Sequence, residues 1–195
     1  MKQRRRIWPL GTLIGALAAV LSSCSTYQVP ITYAAPSSVI PGPRQVDLGR
    51  FVDARDGTGV VLGSIKNELG VPIKKLTTRK PVAELVHNSV GYGLKVRGML
   101  VDKGKGRYLI GGTITEFYAH QLASQESGCT INFQVFRRGE KKPLFAKTYR
   151  AQRNRRTPKV TYWSNVDELA DVSSAALQDV IDQALDDPAL RRVLR

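Results

Sequence analysis

The stretch GCTINFQVFRR, Gly128–Arg138, decides how the rest of the chain is read. Cys129, Ile131, Phe133 and Val135 fall on one side; Thr130, Asn132, Gln134 and Phe136 fall on the other. Strict alternation of this kind marks a strand with one buried face. Working outward, Arg107 to His120 is a long strand whose Gly111-Gly112 pair suggests a bulge or a close packing partner. Arg138-Gly139-Glu140-Lys141 turns the chain into a further strand from Pro143 to Arg150. Met99 to Asp102 is a short strand closed by the turn Lys103-Gly104-Lys105-Gly106. Strands so close in sequence pair most simply as an antiparallel meander.

Two helices flank the meander. Over Thr77–Arg97, Val82, Leu85, Val86, Val90 and Leu94 recur at helical spacing, with Thr78 as a cap, Pro81 in the first turn and Gly98 as a stop. Over Ser164–Asp186, Asn165 and Glu168 fit a capping box, and Val166, Leu169, Leu177, Val180, Ile181 and Leu185 line one face. Asp187-Pro188 ends this helix, and Ala189 to Leu194 add a last turn. Upstream, Gln45–Arg55 and Val60–Lys66 read as strands separated by the turn at Asp56-Gly57. The expected fold class is α+β, a two-layer sandwich with two helices packed on a mainly antiparallel sheet of four to six strands.

The N-terminus sets location. Lys2, Arg4, Arg5 and Arg6 form a cationic cluster, and Ile7 to Leu21 follows without a charge. That run is too short for a spanning helix, which takes roughly 20 apolar residues, and has the length of a signal-peptide core. It ends in Leu21-Ser22-Ser23-Cys24. Those four residues resemble the lipobox read by the lipoprotein signal peptidase. The resemblance implies cleavage after residue 23 and a mature chain whose Cys24 carries diacylglycerol and an N-acyl chain such as palmitate. Several acyl chains anchor stably, because each buried methylene contributes about 0.8 kcal/mol. Ser25 follows Cys24. The absence of Asp there resembles the pattern that sends lipoproteins to the outer membrane, facing the periplasm.

The chain thus divides into a signal peptide (1–23), a lipidated cysteine with a tether (24–45) and one periplasmic domain (46–195). Pro30, Pro36, Pro41 and Pro43 among small polar residues make the tether extended, with a reach of up to roughly 60 Å. If Cys24 is acylated, Cys129 is left without a disulfide partner, so a hydrophobic core must hold the fold. Cys129 itself reads as a buried small hydrophobe, or alternatively as a reactive thiol for which no neighbouring charge pattern provides.

Of the formal charge of +14, four positive charges lie in residues 1–23, leaving +10 on the remainder. Such a balance suits acidic partners, and export argues against nucleic acid. The charge concentrates at Arg150, Arg153, Arg155, Arg156 and Lys159, with Arg137, Arg138, Lys141, Lys142 and Lys147 on the preceding hairpin able to join them. This is the candidate patch for an anionic lipid or an envelope protein; the alternative is a solvated loop. Tyr162 and Trp163 follow it, as an amphipathic contact or as cover for the core.

No catalytic, metal or cofactor site is expected. His87, His120 and Cys129 lack metal-ligand spacing, and no serine elbow occurs. Gly57, Gly59 and Gly63 are not followed by Gly-Lys-Ser/Thr. Asp53, Asp56, Asp102, Glu116 and Glu126 are carboxylates with no evident pairing.

Several short segments resemble the YajG-like bacterial lipoproteins: Phe51-Val52-Asp53-Ala54-Arg55-Asp56, Leu62-Gly63-Ser64-Ile65-Lys66-Asn67 with Gly70, Gly93-Leu94 with Gly98, and Phe145-Ala146-Lys147-Thr148-Tyr149. The resemblance spans about residues 45–187 and implies an exported, outer-membrane-anchored domain without assigned catalytic residues. The Pro-rich segment and the basic run 150–159 depart from it. The ABC-transport auxiliary lipoproteins, which support lipid trafficking, have a similar lipobox, linker and small α/β layout. The expected role is a non-catalytic binding or assembly module of the cell envelope. The alternative is an auxiliary subunit of an ABC-type lipid transporter, and the least favoured reading is a cell-wall enzyme.

Overall fold

The computed structural model describes residues 25–57, 59–156 and 166–195. Its elements in chain order are β1 (Ser25–Gln28), β2 (Val46–Asp53), β3 (Val61–Lys66), β4 (Pro72–Thr77), α1 (Val82–Val96), β5 (Tyr108–Gln121), β6 (Ser124–Arg137), β7 (Phe145–Arg156), α2 (Val166–Leu185) and α3 (Pro188–Val193). Seven strands form one mixed sheet in the order β1-β4-β3-β5-β6-β7, with β2 also on β5.

The alternation in β6 does what its pattern demands. Cys129, Ile131, Phe133 and Val135 are buried against the helices, and Asn132, Gln134 and Phe136 are half-buried on the opposite face. α1 and α2 cover the first face. Leu169, Leu177, Val180, Ile181 and Leu185 of α2 and Val82, Val86, Val90 and Leu94 of α1 complete the core. The helices approach closely at Gly93, where a Cβ would lie 2.9 Å from Leu185 Cδ1 and 3.2 Å from Ile181 Cγ2.

The fold differs from the antiparallel two-helix expectation in three ways. First, the sheet is mixed. β5 pairs antiparallel with β6 but parallel with both β2 and β3, which lie end to end along its other edge. The chain reaches β5 through α1, and a helical crossover returns a strand parallel to those before it. Second, the described residues hold seven strands and three helices, α3 being the last turn expected after Asp187-Pro188. β4 was masked by Lys74-Lys75 and by reading Thr77-Thr78 as a helix start. α1 starts later, at Val82, with Pro81 as its N-cap, while Thr78 Oγ1 donates to the Lys80 carbonyl at 2.6 Å. The short strand expected at 99–102 is reduced to one bridge, Val46 with Leu100. The capping box at Asn165 lies outside the described residues.

Third, residues 25–45 are fastened to the domain rather than extended from it. β1 pairs with β4 in register Ser25↔Lys74 to Gln28↔Thr77. Beyond it Val29, Ile31 and Tyr33 turn inward between exposed neighbours. The Thr32 N–H donates to Ser174 Oγ at 3.1 Å, and the Gly42 N–H to the Arg97 carbonyl at 3.1 Å. Arg191 donates to the carbonyls of Ile40 and Pro41. Prolines keep this strap extended, and the alternating apolar side chains give it a face to bury.

Two arginines organise the interior. In the gap between β2 and β3, Arg55 grips Asp53 through Nε and Nη2, each at 2.8 Å. Its Nη1 donates to the carbonyls of Phe117 and Val61 at 2.7 and 2.9 Å, replacing the ladder bonds that the gap leaves out. Deeper still, the side chain of Arg97 is fully buried and donates to Asp186, Asp182, Tyr33 and the Gly93 carbonyl.

Candidate functional site

β7 is an edge strand, bonded to β6 from Val135↔Phe145 to Ser124↔Arg156. It therefore carries the run Arg150–Arg156 as strand rather than loop, and strand alternation divides the basic residues between two faces. Tyr149 and Ala151 are buried toward the helices, which places Arg153 and Arg155 on that side and Arg150 and Arg156 on the open side.

Their partners differ too. Arg153 makes a two-pronged pair with Asp179 of α2, at 2.5 and 2.8 Å. Arg150 lies 3.6 Å from Glu116. Arg155 and Arg156 are exposed, and no ion pair engages them among the described residues. Lys159, Tyr162 and Trp163 lie outside the described residues, as does Cys24.

The hairpin cations do not join this group. Arg137 pairs with Glu140 at 3.4 Å, and Arg138 pairs with Asp47 and with the Gly106 carbonyl. They sit where β7 begins, and a 12-residue strand at about 3.3 Å per residue carries Arg156 roughly 36 Å away. Lys147 is held at 2.7 Å from Asp187, which also accepts from Tyr149 Oη at 2.7 Å. The hydrogen bonds from Lys147 and Tyr149 outweigh burial and bring the Asp187 carboxyl down to about 2.

The histidines and the cysteine are separate. His87 Nδ1 lies 3.1 Å from the Gly49 carbonyl. His120 stacks on Tyr118 at 5.3 Å, and burial, then Lys66, holds its pKa below the usual imidazole value. Cys129 is buried, and desolvation pushes its thiol well above the ordinary range. Among the described residues no group of three or more His, Cys, Asp and Glu is placed to hold a metal.

Asp56 is exposed, and the other four carboxylates are occupied by donors. Arg55 takes Asp53, Lys105 takes Asp102 at 3.0 Å, Thr130 donates to Glu116 at 2.7 Å, and Tyr118 donates to Glu126 at 3.1 Å. Gly63 lies in β3, where a Cβ would fall 2.1 Å from the Ala119 carbonyl. It serves close strand approach, and the chain after it continues as strand rather than the helix a phosphate loop needs.

One cleft has a different character. Val29 and Ile31 of the strap face Leu85 and Ser89 of α1 across about 360 Å³, with Arg79 and Lys80 at the rim. That is a small ligand-sized space with apolar walls and a cationic mouth. Lys80 is bound to Glu84 at 2.6 Å, and Arg79 is exposed. The sequence hides this cleft, because one wall belongs to the Pro-rich segment 25–45, whose composition suits a free tether. The alternation of Val29, Ile31 and Tyr33 was the available signal.

No helix among the described residues is long and apolar enough to cross a membrane. No family model matches the chain, and no curated relative matches it either. Among solved structures it is similar to protein XCC0632 from Xanthomonas campestris, of family DUF330, with a TM-score of 0.57 at 10% identity, covering 83% of this chain and 95% of that one. A minor lipoprotein from Acinetobacter baumannii aligns with a TM-score of 0.44 at 14% identity, covering 67% and 91%. Uncharacterized lipoprotein B from Nitrosomonas europaea aligns with a TM-score of 0.40 at 11% identity, covering 78% and 90%. The first of these likenesses is one of fold.

Proposed function

We propose that the protein is a lipid-anchored, non-catalytic binding or assembly module of the bacterial cell envelope, of YajG-like type, held in the outer membrane and facing the periplasm. The observation that carries this reading is the order of residues at its head: a cationic cluster, an uncharged run and Leu21-Ser22-Ser23-Cys24, followed at once by a folded strand. The two arginines at the end of β7, which no ion pair engages among the described residues, are its contact for an acidic partner, anionic lipid or envelope protein. A photo-crosslinking side chain at position 155, in cells, should capture one dominant class of envelope neighbour, anionic phospholipid or a single protein. Replacing Arg156 by Glu in the same chain should lower that yield several-fold. An unchanged, diffuse pattern of neighbours would count against a docking role for this edge.

A second reading is favoured by the strap–α1 cleft: an auxiliary subunit of an ABC-type envelope lipid transporter, with the apolar walls taking an acyl chain and Arg79 its anionic head. Asn88 is exposed at the cleft, so Asn88→Trp blocks it without entering the core. Co-purified phospholipid, measured by mass spectrometry, should then fall to background. Equal lipid in both proteins would reject this reading.

A further inference from the structure

The register of the sheet gathers six strand ends at one place. β1 begins at Ser25 opposite Lys74, close to the β3–β4 hairpin. β3 runs parallel to the end of β5, with Ile65 opposite Gln121. β6 then starts at Ser124, opposite Arg156 at the end of β7. Five inter-strand gaps of about 4.8 Å make this end roughly 24 Å wide.

Its surface presents apolar side chains beside cations. At the β3–β4 tip, Leu69 is 86% exposed and Val71 52%; at the neighbouring β5–β6 tip, Leu122 is 43% exposed. The first tip is a built turn. Asn67 Oδ1 accepts from the Leu69 and Val71 N–H groups at 3.1 and 2.9 Å, and Gly70 takes a φ of +79°. The turn holds Leu69 outward, where it is denied the core. Lys75, Arg155 and Arg156 are exposed around the tips. Apolar tips ringed by cations suit the boundary between acyl chains and anionic head groups. Glu68 beside Leu69, and Asp167 and Glu168 at the start of α2, oppose the cations and favour shallow contact.

The same end carries the chain's point of attachment. Ser25 is bonded into the sheet there, and Cys24 precedes it in the sequence. The geometry points to this end as the face the domain lays on the bilayer, with Leu69, Val71 and Leu122 at head-group level and the cations on anionic lipid. This rests on acylation of Cys24. The folded strap leaves no spacer to lift the domain away, so anchor and tips meet the membrane together.

The test uses the full chain, processed in cells and reconstituted in vesicles of phosphatidylethanolamine and phosphatidylglycerol. Leu69→Cys and, at the opposite end, Leu144→Cys are labelled with an environment-sensitive fluorophore; Cys129 is buried and remains unlabelled. Lipid-borne spin labels should quench the probe at 69 at least about threefold more than the probe at 144. Adding Val71→Asp, an exposed change, should reduce the quenching at 69. Intact mass of the same samples separates the two ways to fail. An acylated protein with equal quenching at both positions, or more at 144, overturns this orientation alone. A mature chain without acyl groups overturns the anchoring reading and the orientation with it.

Discussion

Arg97 and the last arginines of β7 place the same guanidinium in opposite surroundings. Arg97 is 1% exposed, and its N–H groups reach two carboxylates, a phenol and a carbonyl. Tyr33 Oη in turn donates to Asp182 at 2.5 Å. Arg155 and Arg156 stand in solvent with no acidic side chain engaged among the described residues. Burying a charge is tolerated only when its donors are matched, so the first site is fixed by structure and contributes to the architecture. An unmatched surface charge costs little and does little for stability. It also keeps an edge strand from pairing with another edge, and it remains available to a partner.

The largest effect expected from this contrast is at Arg97. Arg97→Ala leaves Asp182 and Asp186 without their buried partner and should cost about 3–5 kcal/mol, read from urea unfolding. A loss under about 1 kcal/mol would mean the network is dispensable. Tyr33→Phe is the next step down. It removes one of the two donors to Asp182 Oδ1, leaves an Arg97 N–H without its acceptor and should cost about 1–3 kcal/mol. Since Tyr33 belongs to the strap, protease access to residues 29–45 should rise with it.

Acid should find the same network. Burial pushes the Asp186 carboxyl up, but hydrogen bonds and charge from Arg97 outweigh it and hold the group below its ordinary value of 3.8. Asp187 is held at about 2 by Lys147 and Tyr149. Both are depressed on folding, so their stabilisation is full above the unfolded value. It is lost as pH falls from about 4 toward 2. A denaturant midpoint that stays flat from pH 5 to 2 would contradict the pairing. The Lys147→Met variant should show less of the fall. The smallest stability effect belongs to the double change Arg155→Glu and Arg156→Glu, within about 0.5 kcal/mol of the parent. The same change should weaken pelleting with anionic vesicles several-fold, and more at low salt than at high salt.

The sequence made one half of the molecule legible. β6 and its neighbours show a clean period of two, and α2 a clean helical face, because each buries one side against a single layer. The other half resists such reading. Lys74-Lys75 hides β4, whose Leu76 is nonetheless buried. The prolines of 30–43 draw attention from Val29, Ile31 and Tyr33. Parallel pairing of β2 and β3 on β5 depends on a crossover that no local pattern encodes. Arg97 carries no local mark of burial, since its side-chain partners lie 64 to 89 residues away. Arg155 and Arg156 were legible as charge, but not as the exposed end of a strand whose other cations are already paired.

The lipid anchor at Cys24 is tested most directly by intact mass spectrometry of the protein recovered from membranes. The mature chain should begin at Cys24 and carry the added mass of a diacylglyceryl group and an acyl chain. A mature chain that begins elsewhere, or that begins at Cys24 without lipid, would contradict it.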